Sequence, residues 1–100
     1  MNIVGISGTL GKPVEVIKLD EETIVLNNTI KVFRNPKSEK FDWINILAYG
    51  EMAEYIKETF QMNDFVVVQG VLRTRGFLSK EDEKRLITEV LVYQIEGEEE

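Results

Sequence analysis

The residues best equipped for chemistry in this chain are flat or cationic. Trp43, Tyr49 and Phe77, together with Phe33, are aromatic side chains that share their stretches of sequence with Lys31, Arg34, Arg73 and Arg75. Aromatic faces attract other π systems and cations, and a guanidinium is itself a planar donor. The set therefore suits non-covalent capture of a ligand that is both flat and anionic. It does not suit bond making. The chain has no cysteine and no histidine, which removes thiolate ligands, disulfides and the one side chain that titrates near neutrality. Its carboxylates form no spaced cluster able to hold Mg²⁺. The composition predicts a binding protein and not an enzyme, with no metal and no cofactor.

A net charge of −6 argues against an anionic ligand until its distribution is read, because a polyanion is normally met by a basic protein. Four of the excess acids, Glu96, Glu98, Glu99 and Glu100, lie in the last five residues, leaving −2 over residues 1–95. Two segments run the other way. Thr29 to Tyr49 sets Lys31, Arg34, Lys37 and Lys40 against Glu39 and Asp42, while Phe65 to Lys80 holds Arg73, Arg75 and Lys80 with no acid at all. Two residues apart, Arg73 and Arg75 fall on one face of an extended strand without nearby acids. Lys80, Lys84 and Arg85 are mixed with Glu81, Asp82 and Glu83 and read as solvated surface.

The elements that must position these groups follow from periodicity. Ile3 to Leu10 is β-branched and carries Gly5 and Gly8, which reads as a long strand that must bend or admit another backbone closely. Gly11-Lys12-Pro13 interrupts it, Val14 to Lys18 continues it beyond the kink, and Asp20-Glu21-Glu22 makes a turn. Thr23 to Arg34 alternates, with Ile24, Leu26, Ile30 and Val32 on an inward face and Val25, Asn27, Thr29, Lys31 and Phe33 on the other. After an Asn35 to Lys40 loop, Phe41 to Tyr49 is the next strand, its even positions aliphatic and its odd ones Phe41, Trp43, Asn45, Leu47 and Tyr49. Met52, Ile56 and Phe60 recur at helical spacing. Phe65 to Arg73 is a strand, Ser79 to Lys84 a charged hairpin tip, and Leu86 to Ile95 the last strand.

The order strand, strand, strand, helix, strand, strand is that of the all-β, five-stranded OB-fold barrel, with one α-helix between strands three and four. Periodicity alone fits an SH3-like barrel or a small α+β sheet as well. With 100 residues and 43% hydrophobic content, the chain is sized for one domain, 1–95, followed by a short acidic tail, 96–100. It has neither a basic leader nor an apolar run of membrane-spanning length, so it is expected to be soluble and cytoplasmic, with no membrane partner.

The run Asp42-Trp43-Ile44-Asn45-Ile46-Leu47-Ala48-Tyr49-Gly50, then a helix, then Val68-Gln69-Gly70-Val71-Leu72-Arg73-Thr74-Arg75-Gly76-Phe77, resembles the bacterial single-stranded DNA-binding proteins. Ile3 to Gly11 is similar to their first strand, and Thr88-Glu89-Val90 to the Thr-Glu-Val of their last. The resemblance spans roughly residues 2 to 95 and keeps the element order, which makes it more specific than any short motif. It implies sequence-independent binding and protection of single-stranded DNA in replication, recombination or repair. Bases would stack on Trp43, Tyr49 and Phe77, and on Phe33 where the loop leaves the alignment open. It also implies a homo-oligomer, tetramer or dimer, associated with the nucleoid. There are two departures. The chain stops at Glu100, where the family adds a linker and an acidic tip that recruits replication and repair enzymes, and Gly76 stands where the family often has a cation.

Read from residues alone, each group has a second account. Trp43 and Tyr49 serve equally as caps on a hydrophobic edge or as subunit contacts. Phe33 is covered either by a ligand or by a neighbouring loop, and Phe77 lies either against nucleic acid or across the hairpin from Leu86. Lys31, Arg34, Arg73 and Arg75 are phosphate contacts or solvated surface, the arginines being able to stack as well. Phe41, Phe60, Phe65, Tyr55 and Tyr93 are expected to pack in the core or an interface. The Glu-rich end is a solvated tail or a competitor of DNA for the basic groove. The alternative function is a primosomal-type OB-fold adaptor that binds protein partners as well as single-stranded DNA.

Overall fold

A computed structural model describes residues 1–97. Its elements are β1 (Val4–Leu10), β2 (Ile17–Lys18), β3 (Ile24–Phe33), β4 (Phe41–Tyr49), α1 (Gly50–Thr59), β5 (Phe65–Leu78) and β6 (Lys84–Gly97). The expected long first strand is two arms with a coil between them, because Pro13 fixes φ and offers no N–H to a ladder. The bend is pinned from across the sheet. Gly11 N–H donates to the Thr29 carbonyl at 2.9 Å. The buried Asn28 side chain accepts from Lys12 N–H and donates to the Lys12 carbonyl, both at 3.1 Å.

The strands lie in the order β1-β5-β6-β4-β3-β2, with β1 also pairing with β3 at Thr9↔Lys31 and Leu10↔Ile30. That second pairing closes the sheet. Gly8 makes it possible, since a Cβ there would run into the Lys31 carbonyl and the Ile30 side chain. With β1 and β2 taken as arms of one bent strand, five strands form a closed barrel and α1 lies between the third and fourth. This is the OB-fold. Elsewhere β3 runs antiparallel to β4 along its whole length, whereas β4 and β6 meet in parallel only at Ile46↔Val90 and Leu47↔Leu91.

The even positions of β3 and β4 point inward as their alternation requires. Leu26, Ile30, Ile46 and Ala48 join Leu10, Val66, Val68, Val90, Val92 and Ile95 in one apolar cluster, which α1 plugs with Ala53 and Ile56 and which Phe60 covers. The turn from β4 into α1 is made by Gly50 at φ 57°, a conformation that side chains with a Cβ resist. Val25, Thr29 and Leu47 are buried as well, although their odd positions face outward. The outer face here is a hollow, in which Val25 and Leu47 lie with Ile17, Leu19, Tyr49 and Arg75.

The β5–β6 hairpin is longer than its sequence predicts, each strand having 14 residues. Pairing runs to Leu78↔Lys84, and the tip is tied by Ser79, whose N–H donates to the Glu83 carbonyl at 3.0 Å. At the other end Glu96 and Gly97 pair with Val67 and Val66, so the segment read as a tail begins inside β6. Glu98, Glu99 and Glu100 lie outside the described residues.

Candidate nucleic-acid interface

Two cross-strand rungs build the first half of the site. Phe33 pairs with Phe41 and Lys31 with Trp43, which places all four on the odd, outward face of β3 and β4. Phe33 and Phe41 meet edge to face at 6.0 Å between ring centres, and Phe41 and Trp43 at 5.6 Å. The Lys31 ammonium lies 4.3 Å from the centre of the Phe41 ring and 5.3 Å from that of Phe33. The result is a continuous aromatic stripe carrying one cation. It stays open to solvent, with Trp43 and Phe33 both 52% exposed.

Phe41, expected to pack in the core or an interface, is the centre of this stripe and is 38% exposed. Its odd position in the same strand as Trp43 was the available signal. The other aromatics assigned to packing divide. Phe60 is in the core, whereas Tyr55, which meets it edge to face at 6.1 Å, is exposed, as are Phe65 and Tyr93.

The second half is electrostatic. Tyr49 ends β4, and the Arg73 guanidinium lies over its ring at 5.7 Å. Arg73 and Arg75 share a face of β5, as their spacing requires, but they are not free of acids. Glu89 stands across from Arg73 on β6 and is 2% exposed. One of its oxygens, Oε1, accepts from Arg75 Nε at 3.0 Å and lies 3.7 Å from Arg73 Nε. The charge of +3 read over Phe65 to Lys80 is thus reduced by an acid from another strand, which sequence distance could not show.

Arg34 is also engaged. Its guanidinium makes two bonds to Asp42, at 3.3 and 3.2 Å, with both side chains exposed. The pair lies on the even-numbered side of the ladder, apart from the stripe. Phe77 continues the parity of Arg73 and Arg75 along β5, pairs with Arg85 and is half-exposed. Leu86 stands opposite Gly76, and Phe77 and Leu86 border one hollow at the end of the hairpin. Among the described residues, no helix is long and apolar enough to cross a membrane, and no group of three or more acids could hold a metal ion.

A closed OB barrel with an open aromatic stripe and half-buried guanidiniums on one side defines a class, that of small barrels with a ligand-binding outer face. The model of the single-strand binding protein family matches residues 1–97, and the chain belongs to that family. It is similar to the single-stranded DNA-binding protein 1 of Xylella fastidiosa (strain 9a5c), with 32% identity over 60 residues. That match covers 60% of this chain and 44% of the relative.

Proposed function

We propose that the protein binds and protects single-stranded DNA without regard to sequence, and serves replication, recombination or repair in the cytoplasm. Bases stack on Phe33, Phe41, Trp43, Tyr49 and Phe77, each contact contributing roughly 1 to 3 kcal/mol and accepting any base. Lys31, Arg73 and Arg75 meet phosphates, and Arg34 joins them where DNA displaces Asp42. The observation that carries this reading is the Phe33-Phe41-Trp43 stripe with the Lys31 ammonium upon it, in a chain of this family.

Assembly into dimers or tetramers is supported by the edge of β1. Val4 to Gly8 pair with β5 on one side, while β3 is paired only at Thr9 and Leu10. Light scattering measures the assembly directly.

The deciding experiment is a titration of Trp43 fluorescence with oligo(dT) of several lengths at several salt concentrations, with duplex DNA as competitor. Quenching by oligo(dT), weakened by salt and little affected by duplex, is the expected result. Absence of both quenching and retention at low salt would overturn it.

A further inference from the structure

The buried carboxylate of Glu89 has no part in stacking or in neutralising phosphate, yet it lies beneath both arginines of the interface. Burying an anion is costly unless cations and hydrogen bonds compensate it, and here two guanidiniums do so, at 3.0 and 3.7 Å. Both approach through Nε. The Nε–H of Arg75 is its hydrogen bond to the acid, which leaves the Nη groups for a ligand. Arg75 borders the hollow that holds Glu89, Asn27 and Asn45 and also the one that holds Tyr49. Arg73 lies over Tyr49 itself.

Resting on the reading of the ligand as single-stranded DNA, we infer that Glu89 is a positioning residue of the interface. It holds Arg73 and Arg75 against the strand ladder and cancels one of their two charges. A side chain held before the ligand arrives loses less rotamer freedom on binding. The cluster therefore offers DNA two oriented guanidiniums with the salt sensitivity of about one.

Glu89→Gln separates these two effects. Binding of a single strand falls with salt at a slope of about −0.7 per phosphate neutralised. Releasing one cation should steepen the slope by about 0.7. At about 0.05 M salt the variant then binds oligo(dT) more tightly than the wild type, and at about 0.5 M more weakly, so the two lines cross. Parallel lines would mean that Glu89 only supports the fold, and superimposed lines that it does nothing; either overturns the proposal. Arg75→Lys provides a second test, decisive if the first variant fails to fold. It keeps the charge but loses the Nε–H donor, and should bind roughly tenfold more weakly, the loss of one charge-assisted hydrogen bond, with the wild-type slope retained. Wild-type affinity in Arg75→Lys overturns the positioning role. If the wild type itself retains no oligo(dT), the reading of the ligand fails and this role fails with it.

Discussion

The indole of Trp43 rests on Gly11, at the bend that follows β1. A Cβ built on Gly11 would meet the six-membered ring of the indole and the Thr29 hydroxyl, so this exposed end of the stripe is backed by bare main chain. Gly11→Ala should push the ring off its seat while leaving the barrel folded. The expected result is a red-shifted Trp43 emission and an affinity for oligo(dT) reduced about tenfold, one base contact's worth. Unchanged emission and affinity would show that the seat is immaterial.

Phe41→Ala should weaken binding about as much as Trp43→Ala does, by roughly 1 to 3 kcal/mol. Phe41 is half-exposed and belongs to no part of the core cluster, so thermal unfolding should change little. A large fall in melting temperature with affinity intact would return it to a packing role.

Lys31 and Arg34 carry equal charge and should behave differently. Lys31→Ala removes from the stripe an ammonium that meets no carboxylate among the described residues, and should lower the salt slope by about 0.7. Arg34→Ala breaks an exposed ion pair of about 0 to 1 kcal/mol and removes Arg34 together with its partner's compensation. Its effect on DNA affinity at moderate salt should be the smaller of the two. Parallel salt series of both variants test the order.

Asn28→Ala should destabilise the fold by roughly 2 to 3 kcal/mol. The side chain is buried, and it satisfies both Lys12 backbone groups and accepts from Thr29 N–H at 2.7 Å. A thermal melt should show a fall of roughly 10 °C. Stability equal to the wild type would mean that the bend holds without it.

Asp20 gives a pH dependence of known sign. Its carboxylate accepts the N–H groups of Glu22 and Thr23, both at 2.8 Å, and the Glu22 bond above all holds its pKa below the usual carboxylate value. A lowered folded-state pKa gives stability that is present above the unfolded pKa and lost as pH falls through the folded one. The protection of the Thr23 amide against exchange, relative to an unstructured peptide at the same pH, should therefore fall in acid, and this extra dependence should vanish in Asp20→Asn.

Strand β4 was legible to the residue because a polar loop precedes Phe41 and Gly50 follows Tyr49. Alternation also divided its faces correctly, since period two is a property of the backbone. The length of the β5–β6 hairpin was not legible. Charged and glycine residues from Arg73 to Arg85 look like loop, and only thirteen-rung pairing between the two strands keeps them extended. Within the site, alternation places Phe41 beside Trp43 but cannot say whether anything covers them. The Glu89 contact needed the β5–β6 register, and nothing local to Thr88-Glu89-Val90 announces it.

The two parallel rungs between Ile46, Leu47 and Val90, Leu91 make a seam as short as the one that joins β1 to β3. The β1–β3 rungs join segments made early in the chain, but the β4–β6 seam forms only after β6, the last strand, has been made. The Glu89-Arg73-Tyr49 cluster spans the β4–β6 seam. A chain still emerging from the ribosome thus carries the aromatic stripe of β3 and β4 well before its arginines have an acid to settle on, and the complete binding face is among the last things the protein acquires.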